Sequence, residues 1–146
     1  MSGESHLVDR IRVPVIELES AFYEEIVQQA LMEYPNEACG LIAAKEGVPV
    51  KVYPMRNADA SPVTYRLEPK EQLSVFNDIE EQGWDLWAIY HSHTHSEGYP
   101  SETDRRQAFY PEARYLILSL EDRERPVFRG FRIVSGDVTE EEVTVG

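Results

Sequence analysis

The sequence predicts an α+β protein in which helices pack on a mixed β-sheet. Strand-like apolar segments outnumber helix-like segments, and the two kinds do not alternate strictly along the chain. Of the 146 residues, 42% are hydrophobic, which is enough to bury a real core. We therefore expect residues 9–146 to form a single domain, preceded by a flexible tail over residues 1–8.

The first half of the chain predicts three strands and two helices. A short first strand is expected in "RIRVPVIEL", where Pro14 favours the edge of a sheet. Apolar residues recur at helical spacing over residues 20–34, and the following Pro-Asn ends that helix. The segments "ACGLIAA" and "VPVKVYPM" predict a hairpin. After the loop "NADASP" and the short extended piece "VTYRL", a second helix is expected over residues 69–82, ended by Gly83.

The second half is richer in strands. "WDLWAIYHSH" has the apolar character of a buried strand and runs directly into polar residues. A short helix is expected over residues 102–109. The segments "ARYLILSL", "PVFRGFRIV" and "VTEEEVTV" predict three further strands that complete the sheet.

Composition narrows the classes of function. The formal net charge of −13 repels phosphate backbones, so we expect no nucleic-acid partner. A single cysteine, Cys39, excludes an internal disulfide framework and a cysteine-rich zinc site. No apolar run approaches the roughly 18 residues of a membrane span, and the first residues lack the apolar core of a signal peptide. We therefore expect a cytoplasmic protein without a membrane partner.

The stretch "YHSHTHSEGYPSETD" concentrates groups that bind metals. His91 and His93 are two residues apart on a predicted strand, so both imidazoles project from the same face. A catalytic zinc site takes three protein ligands and leaves one position for water. The loop through Gly98 can turn the chain back and bring Asp104, as the third ligand, and Ser101 to the start of a helix beside the histidines.

Each part of this stretch also has a simpler interpretation. Two alternate histidines occur on exposed strands without a metal, and Ser101-x-x-Asp104 is the pattern of a helix N-cap. The cap and the ligand are compatible, because a helix start can present ligands. We expect His95 to lie in a loop and Cys39 to be a small buried residue. Occupation of the open metal position by either one remains an alternative.

Two segments together resemble a known family. His91-x-His93, seven residues and then Ser101-x-x-Asp104 resemble the metal signature of the JAMM (MPN+) zinc metallopeptidases. "PNEACGLI" is similar to that family's P-x-E-x-C-G segment and places Glu37 at its glutamate. Over about residues 11–145 the chain resembles the short bacterial branch, of the mycobacterial type, whose members release cysteine from a ubiquitin-like sulfur-carrier protein. The resemblance implies the cytidine-deaminase-like MPN/JAMM fold.

The resemblance also implies a role for each matching position. His91, His93 and Asp104 would bind one Zn²⁺ per chain. Glu37 would be the general base that takes a proton from the attacking water. Ser101 would donate a hydrogen bond to the oxyanion.

The implied partner is a small ubiquitin-like sulfur-carrier protein with a Gly-Gly C-terminus. Asn57, Ser61 and Tyr65 fall in the segment that resembles the family's substrate-facing loop, and we expect them, with Tyr99, to line the substrate groove. The alternatives are turn chemistry for Asn57 and Ser61, core packing for Tyr65 and a wall of the zinc loop for Tyr99.

Other functions compete with cysteine release. An isopeptidase acting on lysine-linked modifiers would use the same site, and a non-catalytic MPN scaffold would use none of it. A zinc nucleobase deaminase needs a P-C-x-x-C segment, which a chain with one cysteine cannot supply. The sequence leaves the oligomeric state open, with a homodimer as one alternative.

Overall fold

The computed structural model describes residues 14–146, which contain seven strands and three helices. The strands are β1 (Val15–Leu18), β2 (Cys39–Lys45), β3 (Val48–Met55), β4 (Asp85–His93), β5 (Arg114–Ser119), β6 (Val127–Val134) and β7 (Asp137–Val145). The helices are α1 (Ser20–Glu33), α2 (Pro69–Gln82) and α3 (Glu102–Arg106).

All seven strands belong to one mixed sheet with the order β1-β7-β6-β5-β4-β2-β3. The pairs β1–β7 and β4–β5 are parallel and the other pairs are antiparallel, which confirms the predicted α+β mixed sheet. β1 forms one edge, as Pro14 just before it predicts. The first residues of "RIRVPVIEL" and the expected tail over residues 1–8 lie outside the described residues.

The sheet separates two hydrophobic clusters because successive strand residues point to opposite faces. On one face, Ile42 and Leu116 pack with Ile26 of α1. On the other face, Leu41 and Ile117 pack with other apolar side chains, including one from α2. β4 lies inside the sheet and is buried along most of its length. It is therefore a rigid support for the side chains at its end.

Gly40 lies where two aromatic residues approach the backbone of β2. A Cβ atom at this position would lie 2.5 Å from the carbonyl oxygen of Tyr53 and would collide with the hydroxyl of Tyr90. The absence of a side chain at Gly40 therefore allows Tyr53 of β3 and Tyr90 of β4 to lie close to the backbone of β2.

The short helix after β4 is shorter than the sequence predicts. The helix expected over residues 102–109 ends at Arg106, because Gln107 leaves helical geometry. The short extended piece "VTYRL" lies outside the strands of the sheet, and its pairing is limited to an isolated bridge between Asn57 and Leu67. The Asn57 side chain engages the backbone of this segment instead, as described below. No helix within residues 14–146 is both long enough and apolar enough to cross a bilayer.

Candidate metal centre and active site

Three ligand atoms, two of them from buried histidines, converge at the end of β4. The Nε2 atoms of His91 and His93 are 3.1 Å apart, and they lie 3.1 and 3.0 Å from Oδ2 of Asp104. Four ligands held at zinc's usual bond lengths in a tetrahedron lie about 3.3 Å from one another. The three side chains could therefore hold a single metal ion with only a small adjustment.

His93 is oriented by the loop that follows it. Its Nδ1 atom donates to the carbonyl oxygen of Glu97 at 2.7 Å, which leaves the lone pair of Nε2 facing the other two ligands. Burial alone would lower the pKa of His93, but hydrogen bonds to Asp104 and to the Glu97 carbonyl outweigh burial and raise it. For the more deeply buried His91, burial prevails and lowers the pKa.

Asp104 is presented by a capping box at the start of α3. The Oγ atom of Ser101 accepts from the backbone N–H of Asp104 at 3.0 Å, and Oδ2 of Asp104 accepts from the N–H of Ser101 at 2.9 Å. Burial would raise the pKa of Asp104, yet the two histidines and this N–H hold it well below its usual range. The same residues therefore form a helix cap and present a ligand. Because the Ser101 Oγ atom acts only as an acceptor in this cap, its O–H group can still donate a hydrogen bond.

The pairing of β2 with β4 brings Glu37 to the same place. Cys39 is the register partner of His91. Because the strands are antiparallel, Glu37, two residues before Cys39, lies beside His93, two residues after His91. Just before β2, the backbone N–H of Ala38 donates to Oγ of Ser92 at 2.8 Å and holds the two chains together.

The Glu37 carboxyl is buried without a full set of partners. The residue is 3% exposed, and its Oε1 atom has no hydrogen-bond partner among the described residues. Burial raises the pKa of Glu37 from 4.5 to about 8, with His93 lowering it and Asp104 raising it. A carboxyl with a pKa near neutrality can both take and return a proton, as a general acid–base group must.

Replacing this carboxyl by Gln is expected to stabilise the metal-free protein at alkaline pH. Below pH 4.5 the ionisation of Glu37 does not lower the free energy of unfolding, because the carboxyl is protonated in both the folded and the unfolded chain. As the pH rises towards about 8, the unfolded chain has released a proton that the folded chain retains, so the stability of the parent falls. The total loss is on the order of a few kcal/mol.

Urea unfolding of chelator-treated parent and Glu37→Gln protein measures this effect. The free energies of unfolding should differ little at about pH 5 and by a few kcal/mol in favour of the variant at about pH 9. A difference that does not grow with pH would show that the carboxyl is not buried in its neutral form.

Asn57 binds the backbone of the loop beside the centre. Its Nδ2 atom donates to the carbonyl oxygens of Glu37 at 3.1 Å and Thr64 at 2.9 Å. Its Oδ1 atom accepts from the N–H groups of Asp59 at 3.0 Å and Arg66 at 3.1 Å. With this amide fully engaged, Asn57 matches the turn-forming alternative of the sequence analysis.

Ser61 is engaged with the same loop. Its Oγ atom accepts from the N–H groups of Val63 at 3.1 Å and Thr64 at 3.2 Å, which is also turn chemistry. Its carbonyl oxygen accepts from the N–H of Glu37 at 2.9 Å. Ser61 therefore supports the segment that carries Glu37.

The two tyrosines expected in the groove lie in different surroundings. The ring of Tyr65 stacks on the imidazole of His91, with centroids 4.3 Å apart and planes inclined by 21°. Tyr99 lies in the loop between His93 and Ser101, is 41% exposed and contacts the edge of Phe131. Tyr65 thus borders the metal centre directly, whereas Tyr99 offers an exposed ring in the loop between two of its residues, His93 and Ser101.

His95 and Cys39 lie outside the three-ligand group. Nε2 of His95 is 3.0 Å from the hydroxyl of Tyr34, and its Nδ1 is 2.9 Å from the hydroxyl of Thr94. Burial raises the pKa of the Cys39 thiol to about 12, and its sulfur lies 3.8 Å from the carbonyl oxygen of Met55. The geometry thus matches the expected loop histidine and small buried residue.

Known proteins are similar to this chain over most of its length. The model of a family described as prokaryotic homologs of the JAB domain matches residues 19–134. The CysO-cysteine peptidase of Mycobacterium tuberculosis is 42% identical over 135 residues, which are 91% of this chain and 92% of the relative. The probable TtuB-protein conjugate cleaving protease of Thermus thermophilus is 37% identical over 86 residues, 58% of this chain and 57% of the relative. A solution structure of a protein from Desulfitobacterium hafniense has a TM-score of 0.81 and 37% identity, covering 90% of this chain and 92% of that one.

Proposed function

Because the chain belongs to the family of prokaryotic homologs of the JAB domain, we propose that it is a zinc metallopeptidase of the JAMM type. The observation that carries the proposal is the ligand triangle formed by the buried His91 and His93 and the half-buried Asp104, with a protonatable carboxyl, Glu37, beside it. Two neutral imidazoles and a carboxylate are a suitable donor set for one Zn²⁺ per chain. Zinc in such a site lowers the pKa of water and polarises a carbonyl group.

Two groups of the chain perform the remaining steps. Glu37 takes a proton from the attacking water and later returns it to the leaving amine. The Ser101 hydroxyl, whose Oγ is fixed by the Asp104 N–H, donates to the substrate oxygen as negative charge develops there. Burial raises the pKa of Glu37, whereas a zinc ion bound beside it would lower the pKa, and this opposition suits a group that both takes and returns a proton.

The proposed substrate is the C-terminus of a small ubiquitin-like sulfur-carrier protein that ends in Gly-Gly and carries one further cysteine. The relative named CysO-cysteine peptidase supports this choice, since it matches over nine-tenths of the chain. Release of the cysteine would serve cysteine biosynthesis in the cytoplasm. Tyr65 and Tyr99 would flank the entering tail, while Asn57 and Ser61 would hold the loop that borders it.

A second candidate is cleavage of a carrier from the lysine of another protein. The relative named for cleaving TtuB–protein conjugates favours it, over a shorter part of the chain. The two activities differ only in the leaving amine, so one site could serve either. A non-catalytic scaffold would leave both substrates intact.

Incubation of the zinc-loaded protein with two substrates separates these candidates. One is a carrier ending in Gly-Gly-Cys, and the other is the same carrier linked through Gly-Gly to a lysine side chain. Mass spectrometry should show loss of one cysteine from the first carrier, at a higher kcat/KM than cleavage of the second. Faster cleavage of the lysine conjugate would favour the isopeptidase, and no cleavage of either would contradict the proposed peptidase.

A further inference from the structure

We propose that Tyr65 is a positioning residue for the metal centre, whose ring fixes the orientation of His91. The proposal rests on the metal binding proposed above. It goes beyond that function, because it attributes part of the metal affinity to a residue that is not a ligand. It also adds a second role for Tyr65, the support of a ligand, to its expected contact with the substrate.

The two metal-binding histidines are held in different ways. Nδ1 of His93 donates to the Glu97 carbonyl, which fixes both the tautomer and the plane of that ring. Nδ1 of His91 is buried and has no hydrogen-bond partner among the described residues. For Nε2 to offer its lone pair to a metal, the proton of His91 must lie on this unpartnered nitrogen. No residue within 14–146 therefore supplies the hydrogen bond that usually orients a ligand histidine, and packing can take over that role.

Tyr65 supplies that packing. Its ring lies nearly parallel to the imidazole, at 21° and with centroids 4.3 Å apart, so tilting the imidazole out of its plane would disrupt the stack. The ring face of tyrosine is electron-rich, and an imidazole that binds a cation becomes electron-poor. The stack should therefore strengthen when a metal binds. A stronger stack in the metal-bound state increases the affinity for the metal.

The segment that carries Tyr65 is itself held on both sides. Asn57 accepts from the N–H of Arg66 and donates to the carbonyl oxygen of Thr64, the two residues that flank Tyr65. The same amide donates to the carbonyl oxygen of Glu37. One buried side chain thus ties the segment of the stacking ring to the segment of the proposed base. The ring is held against His91 by a fixed loop.

Competition with a chelating dye measures the zinc dissociation constants of the parent and three variants. Tyr65→Met keeps an apolar side chain of adaptable shape but removes the flat ring, and should weaken zinc binding by about 10- to 100-fold. Tyr65→Phe keeps the ring without its hydroxyl and should retain the affinity of the parent. Tyr34→Met is the matched control, because Tyr34 contacts the ring of His95, which is not one of the three ligands.

The outcomes separate this inference from the proposed function. Parent-like affinity in folded Tyr65→Met protein would overturn the role of Tyr65 and leave the zinc site intact, whereas a parent that binds no zinc would overturn both. Equal weakening in Tyr65→Phe would assign the effect to the hydroxyl and contradict the stacking argument. If metal-free Tyr65→Met is unfolded by circular dichroism, Tyr65→Leu repeats the test, and unfolding of both would make Tyr65 a core residue instead.

Discussion

Cleavage of the carrier substrate is expected to fall by roughly 10²- to 10⁴-fold when Glu37 is replaced by Gln, while one zinc stays bound. The amide is close in size and remains buried, but it cannot accept a proton from water at neutral pH. The three ligand side chains are untouched, so the metal content should not change. The rate is measured as kcat by mass spectrometry, and the zinc content is measured on the same preparation.

Glu33→Gln is the matched control, because Glu33 is an exposed carboxyl at the end of α1, a few residues before Glu37. Its kcat should equal that of the parent. A Glu37→Gln protein that retains zinc and cleaves at the parent's rate would remove Glu37 from the mechanism. Loss of zinc together with activity would instead give Glu37 a part in metal binding.

Replacing His91 by Ala is expected to abolish tight zinc binding and, with it, cleavage. Two ligands remain, and Oδ2 of Asp104 loses one of its two imidazole partners in a buried site. Structural and catalytic zinc sites need at least three protein ligands, so the dialysed variant should hold only a small fraction of the roughly one zinc per chain expected of the parent. Elemental analysis after dialysis measures the change.

His95→Ala controls for the general loss of an imidazole from this loop. His95 lies two residues after His93 but contacts Tyr34 and Thr94, not the ligand group. The control should therefore keep the zinc content of the parent. Stoichiometric zinc in His91→Ala would show that the ligand assignment is wrong, and loss of zinc from His95→Ala would show that the assignment is incomplete.

Most of the sheet could be predicted because its strands carry a direct signal. The middle of β4 is apolar, which predicts its burial, and the strand ends in alternate histidines, so the common face of His91 and His93 follows from the period of a strand. Glu37 was harder to predict, since it is one of 27 acidic residues and has no distinctive neighbours apart from the resembling segment. Its burial depends on the register of β2 with β4, which the composition of either strand does not determine.

Other parts of the site gave no usable signal. The carbonyl of Glu97 orients His93, but every residue has a carbonyl, so no residue type marks this contact. Asn57 looks like an ordinary turn residue, and nothing in the sequence shows that its amide reaches Glu37, twenty positions away. The stacking of Tyr65 on His91 likewise depends on how the loop folds back.

The central claim is that the ligand triangle of His91, His93 and Asp104 forms a zinc-dependent peptidase site together with Glu37. Its most direct test is the mass of a Gly-Gly-Cys-ending carrier after incubation with zinc-loaded, chelator-stripped and zinc-restored protein. We predict loss of one cysteine with the loaded protein, no loss after stripping and renewed loss when zinc is returned. Cleavage that persists after verified removal of the metal, or an intact carrier beside protein that holds one zinc per chain, would contradict the claim.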